Sequence, residues 1–172
     1  MRNKSPIYIT LTAAFAALYA VGVVFLAPIS FQIFQVRLAD ALLPLAIVFG
    51  WPAIIGLALG AFVANFFGGL GPIDIIGGAI ANFIATLLAW KISRLKPSRT
   101  FKLIGVSLEI LVVTSIVGTY LSFLFGMPLQ VGLFGVFLGS LVATGILGTI
   151  LLFTFSTPRI TSMLKSHGLI KD

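Results

Sequence analysis

The chain has no cysteine, one histidine and four acidic residues among 172. Without cysteine there is no disulfide, no thiol nucleophile and no thiolate metal ligand. His167 sits in the basic C-terminal stretch, where a solvated imidazole is the plain reading, so no histidine-built metal centre or nucleophile–base pair can be assembled. No G-x-x-x-x-G-K-[ST] segment is present to hold ATP in a P-loop, and neither H-E-x-x-H nor G-x-S-x-G occurs. The expectation is a protein that is not an enzyme, holds no metal and carries no cofactor. If it moves a substrate with energy, that energy is supplied by another protein.

Charge is scarce too. Charged residues make up 9% of the chain and hydrophobic ones 59%, against roughly a quarter charged in soluble domains. A soluble domain of this size must show water a polar exterior; lipid removes that requirement. The sequence is therefore read as an all-α integral membrane protein in a lipid bilayer. The net charge of +7 does not point to nucleic acid, because the basic residues stand at segment ends and not along one exposed face.

A span needs about 20 apolar residues. Six segments are predicted, at 7–29, 36–50, 52–68, 73–92, 103–125 and 131–155, forming one transmembrane domain over residues 1–172. The first is too long for a signal-peptide core and is taken as a helix closed by Pro28, followed by a connection over 30–36. The second is short and is broken by Gly50-Trp51-Pro52. Gly68-Gly69-Leu70-Gly71-Pro72 and Gly126-Met127-Pro128 read as turns, and 91–102 as a solvated basic loop. With the N-terminus inside, Arg2, Lys4, Lys91, Arg94, Lys96, Arg99, Lys102, Arg159, Lys165 and Lys171 fall on the inner side, and only Arg37 of the eleven basic residues falls outside. That asymmetry predicts an even number of spans in the plasma membrane with both termini cytoplasmic.

Few polar groups lie within the spans, and a charge at membrane depth costs about 3 kcal/mol or more. Arg37 and Asp40, three residues apart, are expected on one helical face where they can pair. They are either an interfacial anchor or one wall of a site open to the outside. Asp74 falls in the first turn of the fourth segment, where the helix dipole favours a carboxylate, so capping competes with ligand binding. Asn65 and Asn82 at depth each need hydrogen bonds from a neighbouring helix or from a ligand. Together, Arg37, Asp40, Asn65, Asp74 and Asn82 describe a small-molecule pocket suited to a ligand rich in N–H donors. Phe31 and Phe34 would cap it, or are plain interfacial aromatics, and Gln35 and Gln130 stand at outer connections. Glu109 is expected to pair with Lys102 or another inner base, with a part in coupling or proton movement as the alternative.

Small residues form two patterns. Gly56-Leu57-Ala58-Leu59-Gly60 is a GxxxG, expected to pack within the bundle or, as the alternative, to form a dimer seam. Ala13/Ala17 and Ala16/Ala20 make a flat strip on the first helix, for internal packing or for docking another membrane helix. From residues alone, a structural membrane module or a channel remains the alternative to a ligand-binding transport protein.

The stretch from Val36-Arg37-Leu38-Ala39-Asp40-Ala41-Leu42 and Pro44, through Gly56-Leu57-Ala58-Leu59-Gly60-Ala61-Phe62-Val63-Ala64-Asn65 and Gly69, to Asp74-Ile75-Ile76-Gly77-Gly78 resembles the QueT family. The likeness is most specific over residues 36–82; the last two segments share its hydropathy but little motif. It implies the six-helix S component of an energy-coupling factor (ECF) transporter, which captures a small vitamin-like molecule from outside. Its implied partners are a transmembrane coupling protein and a pair of cytoplasmic ATPases, with toppling of the subunit releasing substrate inward. Ala13 and Ala17 match the coupling-surface pattern of S components. The substrate implied is a queuosine precursor, a 7-deazaguanine derivative, held by Asp74 and Asp40 with Asn65 and Asn82; another vitamin is the alternative. Asp40 stands where the family more often has glutamate, so its shorter arm either shifts the pocket or leaves Asp40 only to orient Arg37.

Overall fold

The computed structural model describes residues 5–26 and 37–170, and these contain helices and turns and no strand. Arg2, Lys4, Pro28, the 30–36 connection with Phe31, Phe34 and Gln35, and Lys171 lie outside the described residues. Helix α1 spans Ser5–Phe25, α2 Leu38–Phe49, α3 Trp51–Gly68, α4 Pro72–Leu95, α5 Arg99–Leu124, α6 Leu129–Phe155 and α7 Pro158–Ser166. Five of these, α1, α3, α4, α5 and α6, are long and apolar enough to cross a membrane. The six predicted segments match α1 to α6, with α2 too short to count as a span by length.

The shortness of α2 has a physical reason. Its first eight residues, Leu38–Leu45, wind as a 3₁₀ helix with Pro44 inside, and Ala46–Phe49 continues as one α-helical turn. At about 2.0 Å rise per residue in 3₁₀ form and about 1.5 Å in α form, the segment covers about 22 Å, short of a bilayer core of about 30 Å. Irregular backbone at membrane depth survives only where protein surrounds it. The 3₁₀ stretch touches all five spanning helices, and Ala39, Asp40, Ala41, Leu43, Pro44 and Leu45 in it are buried. Its largest contact is with Leu141–Gly148 of α6, which is π-helical. Gly148 stands there because a Cβ would lie 2.8 Å from the Pro44 ring.

Around this central piece α1 packs on α3, α3 on α4, α4 on α5 and α5 on α6. The GxxxG belongs to the first contact. A Cβ on Gly56 would lie 2.6 Å from the Thr12 carbonyl oxygen, and one on Gly60 2.8 Å from that of Ala16. The two glycines thus bring the α1 and α3 backbones together within the chain. Large apolar side chains point outward, among them Val21, Phe66, Phe67, Phe123 and Ile150, as a lipid-facing surface allows.

The basic loop is shorter than expected. α4 continues to Leu95 and α5 starts at Arg99, with Ser98 accepting a hydrogen bond from the Phe101 N–H at 3.3 Å. Lys and Arg are good helix formers and carry their charges past the apolar layer on long stems, so charge here extends the helices instead of ending them. Arg94 lies 4.9 Å over the Trp90 ring. The stretch from Pro158, expected only as a basic tail, forms the short helix α7, with Leu164 buried.

Candidate functional site

The buried polar residues gather near the end of the bundle where α4 begins. Arg37 precedes α2 in extended backbone, at φ −86° and ψ 93°. Helical spacing therefore does not govern it, although it shares a cavity wall with Asp40. An Arg37 guanidinium nitrogen lies 3.6 Å from Asp74 Oδ1. Asp40 instead accepts a hydrogen bond from the Tyr19 hydroxyl at 2.5 Å. The Thr144 hydroxyl, in the π-helical part of α6, donates to the Asp40 carbonyl oxygen at 3.3 Å. All four charged or acceptor groups of this set, Arg37, Asp40, Asn65 and Asp74, are buried.

Asp74 does not cap its helix. Tyr120 of α5 donates to Asp74 Oδ1 at 2.8 Å, and the Asn65 amide of α3 donates to the Asp74 carbonyl oxygen at 2.7 Å. The adjoining Gly77-Gly78 makes room for both. A Cβ on Gly77 would lie 3.0 Å from the Tyr120 ring, and one on Gly78 would collide with the Asn65 amide nitrogen. Gly78→Ala is therefore expected to push Asn65 off Asp74 and weaken ligand binding by about tenfold, the order of one lost hydrogen bond to a buried group. Titration of the purified variant, alongside a thermal melt to separate misfolding, checks this.

The Asn82 side-chain amide, two turns deeper on α4, donates to the Leu57 carbonyl oxygen at 3.4 Å, and the Asn82 backbone carbonyl accepts from the Thr86 hydroxyl at 2.6 Å. Among the described residues, Arg37, Asp40 and Asn82 line one small cavity with Val113 and Val117 of α5 and Val136 and Ser140 of α6. Asn65 and Asp74 are not on its wall; Asp74 joins it through Arg37, and Asn65 through Asp74. All five predicted site residues thus belong to one connected cluster. The cavity volume is about 10 Å³, room for about one water.

What the cluster offers is acceptor capacity. Asp74 Oδ2 and Asn65 Oδ1 are buried and have no hydrogen-bond partner among the described residues. Leaving such an atom unpaired costs about 1–3 kcal/mol, and native interiors rarely tolerate it. A ligand bringing N–H groups would satisfy both. A larger cleft, of about 510 Å³, lies at the opposite end of the bundle, lined by Trp51, Trp90 and Arg94 among others. Among the described residues its lining contains no carboxylate.

Tyr19, Tyr120, Ser140 and Thr144 were not expected at the site. Tyr120 lies near a helix end, where an aromatic reads as an interfacial anchor. Tyr19 lies within the alanine strip, on the buried side of α1. The signal available in sequence was a phenol well inside a span, which needs a hydrogen-bond partner there. Glu109 departs from expectation as well. Lys102 donates to Ser156 Oγ at 2.8 Å, and both Glu109 carboxylate oxygens are buried without a hydrogen-bond partner among the described residues. Among the described residues, no group of three His, Cys, Asp or Glu side chains is placed to hold a metal ion.

A family model described as QueT transporter matches residues 9–157. No curated protein matches the chain, and no solved structure does.

Proposed function

The chain belongs to the QueT transporter family, and we propose that it is the substrate-capturing S component of an ECF-type, ATP-driven uptake transporter whose substrate is a queuosine precursor, a 7-deazaguanine derivative. A membrane transport role follows from the family itself. The finer reading is carried by one observation: Asp74 Oδ2 and Asn65 Oδ1 are buried acceptors without a donor among the described residues, on residues joined by the Asn65 amide N–H to the Asp74 backbone carbonyl, with Tyr120 and Arg37 on the Asp74 carboxylate. The pyrimidine edge of a deazaguanine presents N–H donors to a carboxylate and a carbonyl to an amide N–H or a guanidinium. Asp74, Asn65, Asn82, Asp40 and Arg37 supply that set.

A bicyclic base is far larger than a cavity of about 10 Å³, so capture widens the space between α2, α5 and α6. The 3₁₀ and π-helical stretches that meet there are the least regular backbone in the bundle, and π-helical turns are frequent at functional sites. Residues 1–172 act as one transmembrane unit in the plasma membrane. Both termini are cytoplasmic, because Lys91, Arg94, Lys96, Arg99 and Lys102 mark the end of the bundle away from Asp74. Ala13 and Ala17 lie exposed on α1 and serve as the docking strip for the coupling protein, which brings the ATPase pair. Purified protein titrated with 7-deazaguanines and a panel of other vitamins tests the assignment. Micromolar or tighter binding of a 7-deazaguanine, uncompeted by the panel, is expected. Binding of a panel member in its place would reassign the substrate.

A further inference from the structure

Three of the chain's four acidic residues, Asp40, Asp74 and Glu109, are buried inside the bundle. Among the described residues Arg37 is the one basic side chain buried with them. Three carboxylates against one guanidinium leave this set with a formal surplus of two negative charges. Asp74 has Arg37 and Tyr120, and Asp40 has Tyr19. Glu109 is 0% exposed and neither of its oxygens meets a donor among the described residues. A purely structural role at that place would be filled by leucine or methionine without the cost of burying a carboxylate.

Its position relative to the cavity is specific. Glu109 lies one turn of α5, about 6 Å, below Val113 and two turns below Val117, on the same buried face of the helix. Both valines line the cavity, and Asp40 is on the cavity wall as well. Polar groups therefore descend through the bundle from Asp74 at the start of α4 to Asn82, about 12 Å further along that helix. Glu109 continues the series beyond the two valines.

We infer that Glu109 is the floor of the ligand site and receives a cationic arm of the ligand, so that the ligand is a small planar heterocycle rich in N–H groups with an ammonium at its leading end. This rests on the capture reading above and adds to it a residue that separates cationic from neutral ligands. An ammonium brings three donors and a positive charge to a site with a negative surplus. A neutral substituent of the same size would leave both Glu109 oxygens as they are.

Purified full-length protein is titrated with 7-aminomethyl-7-deazaguanine and with the uncharged 7-methyl compound. The wild type is expected to prefer the amine by about tenfold or more, the order of one charge-assisted hydrogen bond. Glu109→Gln, which keeps the side-chain shape, is expected to weaken amine binding until the two affinities are nearly equal, with the methyl compound unaffected. Glu109→Asp keeps the charge and retains a preference for the amine. A preference undiminished in Glu109→Gln, or an equal loss for both compounds, overturns the role of Glu109 alone. Binding of neither compound by the wild type overturns the capture reading, and this inference with it.

Discussion

Asp74→Ala is expected to lose binding of a 7-deazaguanine by two orders of magnitude or more in a titration of the purified protein. Asp74 holds three partners at once: the Arg37 guanidinium at 3.6 Å, the Tyr120 hydroxyl at 2.8 Å, and, through its carbonyl oxygen, the Asn65 amide at 2.7 Å. Alanine keeps only the last of these. Breaking a buried ion pair by removing one member costs about 3–5 kcal/mol, and each 1.4 kcal/mol is about a factor of ten in affinity. Part of that loss falls on folding and part on binding. Asp74→Asn helps to separate them: its amide oxygen can still accept from Tyr120 and its volume is unchanged, so the melting temperature falls less than in Asp74→Ala, although the charge opposite Arg37 is lost in both. Its affinity falls all the same, because an NH₂ now faces the ligand donors that Asp74 Oδ2 would have accepted. Wild-type affinity in both variants would remove Asp74 from the site.

Much of this site was legible before the structure, and the parts that were not have a common cause. The five candidate residues were singled out because each is polar at membrane depth, where lipid makes such a residue expensive and therefore informative, and the fold buries all five. What the sequence could not supply was who bonds whom. Arg37 and Asp40 were paired by helical spacing, yet Arg37 sits in extended backbone and reaches Asp74 on another helix. The 3₁₀ winding of Leu38–Leu45 and the π-helical turn of Leu141–Gly148 arise from tertiary packing around Pro44 and Gly148, which no periodicity in either segment announces. Tyr19 and Tyr120 were missed because a phenol is amphipathic and its burial has two explanations. Glu109 was given to the nearest base in sequence, whereas the fold turns it into the bundle and Lys102 toward Ser156. The glycine pairs mark the opposite case. Gly56 and Gly60 were read as a close helix contact, and the α1–α3 approach through Thr12 and Ala16 is that contact.

Replacing Ala13 and Ala17 together by leucine is expected to abolish uptake in cells while leaving ligand binding by the purified protein unchanged. α1 has two distinct sides. Phe15, Tyr19 and Val23 are buried against the bundle, and Ala16 and Ala20 are half-buried beside them. Ala13, Ala14, Ala17 and Leu18 are exposed. Lipid does not require small residues on such a face; leucine is equally at home there, and Leu18 stands next to Ala17. Two alanines one turn apart instead leave a flat strip on which another helix can approach closely. Ala13 and Ala17 are exposed among the described residues, so leucines there are expected to leave the melting temperature as it is. They do cost a docked helix its close approach, by about 1–3 kcal/mol for an overpacked contact at each position, enough together to reduce association by about a hundredfold or more. Three measurements on the double variant decide it: ligand affinity, co-purification with the coupling protein, and uptake. Retained binding with lost co-purification and lost uptake assigns the strip to coupling. Full uptake by the double variant would return Ala13 and Ala17 to ordinary lipid-facing surface and move the coupling face elsewhere on the bundle.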